Sequence, residues 1–215
     1  MADSKARLAA EVQSLDDIAA GIARCRGCRL WQRATQAVGG EGSPKSRIVF
    51  VGEQPGDQED LAGKPFVGRA GRVLDEALEK AGVDRRDLYV TNAVKHFSWE
   101  PRGIRRIHKK PLQREIAACH DWLDAEIRAI RPACIVALGA TALLALTGKP
   151  IPVGTARESE LEDPSGATLI ATYHPSALLR AIEPSQREAL YRTLVADLRR
   201  ALEATDPAAT ARGRR

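Results

Sequence analysis

Hydrophobic positions along this chain fall into short solid runs and longer periodic stretches, and the two kinds alternate. Ile48-Val49-Phe50-Val51 is a solid run that breaks at Gly52 into Glu53-Gln54-Pro55-Gly56-Asp57. It predicts a buried strand over Arg47 to Gly52 that ends in a polar loop. Leu88 to Ala93, Ala133 to Leu138 and Thr168 to Tyr173 predict further strands. Between them, Val73, Leu74, Ala77, Leu78 and Ala81 recur at helical spacing within Arg69 to Ala81, with Gly82 as the stop. Gln113 to Ile130 predicts an amphipathic helix with Ile116, Trp122, Leu123, Ile127 and Ile130 inward, ended by Pro132. Helices are also predicted over Ala140 to Thr147, over Ser185 to Ala204, and over Leu15 to Ala23, where Ser14 is the N-cap and Asp16 and Asp17 occupy the first turn. Ala156 to Leu161 reads as an edge strand.

Alternation of strand, loop and helix argues for a parallel sheet with helices on both faces. Three of the strands end in polar residues: Glu53 to Asp57, Asn92 to His96, and His174-Pro175-Ser176. In an open α/β sheet, ligands bind beyond the carboxyl ends of the strands, so these residues are predicted to share one crevice. His174 projects into it near Glu53, which is a catalytic address. Asn92 to Pro111 reads as a long, polar, strongly basic ligand loop.

Size and charge narrow this picture. The chain has 215 residues, enough for one domain with a substantial core, predicted over residues 1–204 with a short N-terminal helical extension. Lys plus Arg number 33 against 28 Asp plus Glu, a net charge of +5, which suits a polyanionic partner without requiring one. Part of the excess sits in Arg212, Arg214 and Arg215, in a basic tail over 205–215 that reads as disordered. No apolar run approaches the roughly 20 residues that span a bilayer, and the first residues carry no apolar signal region, so the expectation is a cytoplasmic protein with no membrane partner.

In that compartment structural disulfides are rare, so Cys25, Cys28, Cys119 and Cys134 point to a metal or a redox pair. A metal site using all four thiolates is the favoured reading over two buried thiols plus an incidental Cys-x-x-Cys. Spacing leaves zinc and an iron-sulfur cluster both open. A zinc ribbon would more usually supply a second Cys-x-x-Cys, which tilts the choice toward the cluster.

His108 sits in Arg105-Arg106-Ile107-His108-Lys109-Lys110, a segment whose arginines and lysines suit salt-sensitive phosphate binding. For His108 itself a solvated loop residue and a functional one fit equally well. Phe66, in Gly63-Lys64-Pro65-Phe66-Val67-Gly68, offers a face on which a flipped base could stack, or packs the loop onto the core. Neither a Gly-x-Gly-x-x-Gly order nor a Gly-Lys-Ser/Thr loop is present to support a nucleotide fingerprint.

Taken together, Gly52 to Asp60, Gly63 to Gly68, Thr91-Asn92-Ala93-Val94-Lys95 and His174-Pro175-Ser176 closely resemble the iron-sulfur (type 4) uracil-DNA glycosylases, over about Cys25 to Leu202. The resemblance implies a three-layer α/β/α fold with a four-stranded parallel central sheet, and a 4Fe-4S cluster with a structural role on the four cysteines. Gly-Glu-Gln-Pro-Gly together with Arg105-Arg106-Ile107-His108 looks like the UdgX branch, which becomes covalently attached to the DNA it has processed. Ile104 departs from that branch, where a lysine is expected.

In function, the resemblance implies a uracil-DNA glycosylase acting on uracil-containing DNA. Flipping costs least in single-stranded DNA, which is the predicted preference, for an enzyme expected to be a monomer. Glu53, His108 and His174 are then catalytic, with His108 the trapping nucleophile and His174 against uracil O2. Gly52, Gln54, Asp57, Phe66 and Asn92 bind the base, and Lys95, Arg105, Arg106, Lys109 and Ser176 contact DNA. An ordinary turnover glycosylase and a non-catalytic DNA-binding iron-sulfur protein are the competing readings.

Overall fold

The structure, a computed structural model, describes residues 14–205; the predicted basic tail falls almost wholly outside them. Four strands form the centre: β2 (Ile48–Gly52), β3 (Leu88–Asn92), β6 (Cys134–Leu138) and β8 (Thr168–Thr172). They lie parallel in the order β3-β2-β6-β8, and short antiparallel strands β1 (Glu41–Gly42) and β7 (Leu161–Glu162) close the edges. All residues of β2, β3 and β6 are buried, as expected of strands covered on both faces.

Alternation of side chains divides the core in two. On one face Val49, Val51, Ile135 and Ala137 meet α4 (Gln113–Ile130), through Ile116, Cys119, Leu123 and Ile127, and α5 (Ala140–Thr147). On the other, Ile48, Phe50, Cys134, Val136 and Leu138 meet α3 (Arg69–Ala81) and α8 (Pro184–Ala204). The predicted three-layer α/β/α arrangement and its parallel centre are therefore present. Helix α1 (Leu15–Ala23) is capped by Ser14, whose hydroxyl accepts from the Asp17 amide at 3.2 Å. It packs Ile18 and Ile22 against Trp122 and Ala125 of α4. Two short helices, α2 (Asp57–Ala62) and α7 (Ser176–Arg180), follow the ends of β2 and β8.

Two expectations change. Ala156 lies in the short helix α6 (Val153–Arg157), and the edge strand begins only at Leu161. The basic loop after β3 is in large part a hairpin, β4 (Trp99–Arg102) with β5 (Arg105–His108). Gly103, at φ +60°, occupies the first central position of its two-residue turn, where a left-handed conformation is required. Charged residues on both strands hid the alternation that would have announced it. Among the described residues no helix is long and apolar enough to cross a membrane.

Candidate active site

Beyond the carboxyl ends of β2, β3, β6 and β8 lies a cavity of about 940 Å³, lined among others by Glu53, Asp57, Phe66, Asn92, His108 and His174. The predicted convergence of three polar strand ends is thus what the topology delivers. Gly52, the last residue of β2, lies behind two of these lining residues, Phe66 and Asn92. A Cβ there would stand 2.3 Å from Asn92 Oδ1 and 2.6 Å from the Phe66 ring, so only glycine lets the amide and the ring approach the same point. Phe66 holds a left-handed backbone (φ 55°), unusual for a bulky residue. Helix α3 presses directly beneath it, because a Cβ on Gly71 would meet the Phe66 carbonyl. Asn92 is buried.

Glu53 stands at the centre. Its Oε1 lies 3.2 Å from His108 Nε2, and its Oε2 accepts a hydrogen bond from the Thr141 hydroxyl. Burial alone would raise the carboxyl's pKa, but hydrogen bonds from His108 and Thr141 and the nearby imidazoles hold it below the usual value. It is therefore an anion at neutral pH.

His174 is set up differently. The Ser176 amide donates to its Nδ1 at 3.1 Å and the Ser176 hydroxyl lies 2.8 Å from the same atom, itself 2.9 Å from Arg180 Nη1. With Nδ1 engaged as an acceptor, the ring's proton belongs on Nε2. Desolvation lowers its pKa to about 4, opposed by Glu53 and assisted by Arg180 and His108. The ring is a neutral donor at physiological pH, 5.9 Å between centroids from Phe66.

His108 reaches the cavity because the hairpin is latched at its base. Gln54 Nε2 donates to the carbonyls of Ser98 and Lys109 at 3.1 Å each, and its Oε1 accepts from the Ser98 amide. The Gln54 side chain, predicted as a substrate ligand, is thus committed to fixing the hairpin. Arg106 is also committed. It pairs with Asp57 at 2.6 Å and the buried Asp60 at 2.5 Å, so its charge braces the hairpin rather than standing free for phosphate. Asp57 is the other half of that brace. Arg105 and Lys109 are exposed, with Lys109 only 3.4 Å from Glu100.

Lys95 requires a full correction. Its side chain is 0% exposed and its Nζ donates to Glu126 at 2.7 Å, to the Thr91 hydroxyl at 2.8 Å and to the Asn92 carbonyl at 2.8 Å. A lysine sealed beneath the sheet end cannot touch DNA.

The cysteines separate as well. Cys28 faces Cys119 and His96, which with the Leu30 amide hold its thiol down to about 5, while the Cys28 partner and then burial push Cys119 up. Cys25 Sγ accepts from Trp122 Nε1 at 3.2 Å and from the Gly27 amide at 3.4 Å, which sets the Cys-x-x-Cys turn against α4. Cys134 lies on the opposite face of the sheet, buried among α3 and α8 side chains, its pKa raised to about 12 by that burial. Intervening strand backbone keeps it from the other three. His96, buried with its Nδ1 unpartnered, lies beside Cys28. Among the described residues no three His, Cys, Asp or Glu side chains close around a single ion. Three thiols and an imidazole nonetheless match the soft donor chemistry of an iron-sulfur cluster, whose irons spread their ligands wider than one ion does.

Sequence reasoning missed Thr141, His96 and Arg180. Thr141 was hidden in an apolar helix, whereas His96 ends the same polar strand segment as Asn92 and was within reach.

Residues 40–199 match the family model described as the uracil DNA glycosylase superfamily. The chain is similar to the type-4 uracil-DNA glycosylase of Thermotoga maritima, 43% identical over 160 residues, covering 74% of this chain and 80% of that protein. It is also similar to the type-4 uracil-DNA glycosylase of Archaeoglobus fulgidus, 40% identical over 184 residues, 82% of this chain and 88% of that protein. A type-5 uracil-DNA glycosylase of Pyrobaculum aerophilum is 34% identical over 154 residues, 64% of each. A parallel sheet with a polar crevice at its carboxyl end, and matches of this extent, mean that the chain belongs to the uracil DNA glycosylase superfamily.

Proposed function

We propose that this protein excises uracil from DNA and then captures the resulting sugar through His108, leaving a covalent protein-DNA adduct. The observation that carries the capture step is the 3.2 Å contact between His108 Nε2 and Glu53 Oε1 at the cavity. An imidazole there would take the place of the water that Glu53 would otherwise orient.

A flipped uracil would stack on Phe66 and present its O4 and N3-H edge to the Asn92 amide, which carries both an acceptor and a donor. Cytosine reverses that pattern and leaves a buried amide unpaired, a loss of about 1 to 3 kcal/mol per group. When the C1'-N1 bond breaks, its electron pair leaves on uracil and negative charge gathers at O2. The neutral His174 donates to O2 from Nε2, an interaction that strengthens as charge develops. A His108 nitrogen then bonds to the electron-poor C1', and the imidazole proton passes to the Glu53 carboxylate.

Arg180 and Arg69, both at the cavity rim, and the exposed Arg105, Lys109 and Lys110 are the proposed phosphate contacts. Cys25, Cys28, Cys119 and His96 are the residues that would hold a 4Fe-4S cluster. Bound there, the cluster would supply a structural tie between the Cys-x-x-Cys turn, α4 and the segment after β3.

A uracil-containing single-stranded oligonucleotide, run on a denaturing gel after incubation, provides the test. Wild type is expected to give an SDS-resistant band, and His108→Ala to give free abasic DNA in its place. Repeated turnover by wild type with no such band would leave the plain hydrolytic reading, which the type-4 names of the relatives favour. Absence of uracil release from either form would remove both.

A further inference from the structure

We propose that Thr141 is a positioning residue, whose hydroxyl fixes the Glu53 carboxylate so that its other oxygen faces His108. The inference rests on the catalytic roles proposed for Glu53 and His108. An ionised carboxylate only accepts hydrogen bonds, so the proton in the Thr141-Glu53 bond is the threonine's. A hydroxyl carries one proton, and here it is committed to Oε2. Oε1 is thereby left for His108 Nε2 at 3.2 Å.

Local structure makes the arrangement specific. Thr141 is the second residue of α5, directly after the turn that leaves β6, and its side chain is buried. Gly139, in that turn, has φ +88°, and a Cβ on it would come within 3.1 Å of His174 Cβ. One short connection therefore serves both sides of the reaction centre: Gly139 makes room for His174, and Thr141 aims Glu53. Apart from Thr147 at its last position, the rest of α5 is apolar and faces the core through Ala142, Leu143, Ala145 and Leu146. A threonine in such a helix has no packing reason to carry an oxygen, since valine has nearly its shape. The hydroxyl is the part the fold does not need.

The charged and titratable groups bearing on Glu53 are His108 from β5 and His174 from the end of β8. Arg180 stands behind His174. Of the groups that stabilise the Glu53 anion, Thr141 alone does not titrate, so its contribution is the same at every pH at which Glu53 is ionised.

Thr141→Val and Thr141→Ser, compared with wild type, provide the test. Single-turnover uracil release and adduct formation are measured from pH 4 to 9, alongside thermal unfolding. Thr141→Val is expected to slow adduct formation about tenfold or more, the usual scale for a lost hydrogen bond to a charged group. Its acid limb should move to higher pH, because Glu53 loses a donor that favours its anion. Thr141→Ser should restore both rate and profile. Thr141→Ala removes the same donor with less bulk and reads the same difference where Thr141→Val does not fold. A folded donor-less variant with the wild-type rate and profile overturns the proposal, as does Thr141→Ser behaving like Thr141→Val. If wild type turns over without an adduct, the capture reading fails by itself; the comparison is then made on the rate of abasic product, where Glu53 would orient water.

Discussion

Two glutamates serve the carboxyl ends of this sheet, each paired with a basic side chain, and they have opposite fates. Glu126 and Lys95 are 1% and 0% exposed, and the carboxylate also accepts from Thr91, Tyr89 and the Gly40 amide, so every strong site on it is taken. Glu53 and His108 are 22% and 49% exposed, and beyond Thr141 the carboxylate has no other protein partner among the described residues. The sealed pair holds the end of β3 in place: Lys95 Nζ grips the Asn92 carbonyl and thereby orients the residue proposed to read the base. The open pair retains free lone pairs, solvent access and a mobile proton. Similar chemistry, buried or left at a rim, is fixed in one case and available to react in the other.

Breaking the sealed pair should have the largest effect on stability. Lys95→Met leaves Glu126 as an unpaired buried charge, at a cost of about 3 to 5 kcal/mol in denaturant unfolding. The double variant Lys95→Met/Glu126→Leu should recover part of it. Glu53→Gln sharpens the contrast: stability within about 1 kcal/mol of wild type, since the pair is partly solvated, but adduct formation slowed about 100-fold or more through loss of the proton acceptor. Equal destabilisation by the two substitutions would erase the distinction.

The sealed region continues into the thiols, because the Lys95 backbone bears on Cys119 and His96 is its neighbour in sequence. Iron content and visible absorption of purified protein should fall in His96→Ala and stay unchanged in Cys134→Ser. The reverse outcome restores Cys134 as the ligand.

The smallest expected effect is in pH. His174 has a folded pKa of about 4 against an ordinary 6.5, so the unfolded chain binds the proton first as pH falls. Its contribution to stability is complete above pH 6.5 and is lost progressively down to about pH 4. In His174→Gln the acid slope of the thermal midpoint across that window should flatten.

How much of this was legible depends on what a side chain's neighbours reveal locally. The four parallel strands, the long helices and the crevice at their carboxyl ends could be read directly, because solid apolar runs and helical periodicity are local signals. Facing was not legible in β6: Cys134 to Leu138 is buried on both sides, so no polar residue marked which thiol looks where. Lys95 read as a basic surface residue because nothing nearby in sequence announces Glu126, 31 residues away. The hairpin was obscured by its charges, one of which, Arg106, turns out to be an internal brace.

Sequence by itself determined the alternation of elements, the missing Cβ at Gly52 and the presence of Glu53, Asn92 and His174 at strand ends. These follow from backbone sterics and hydrophobic pattern, which act over a few residues. Tertiary structure alone decided that Lys95 is sealed, that Cys134 faces away from the other thiols, that Gln54 and Arg106 latch a hairpin, and that Thr141 meets Glu53. Burial and pairing depend on residues far apart in the chain, brought together only when the sheet stacks its layers.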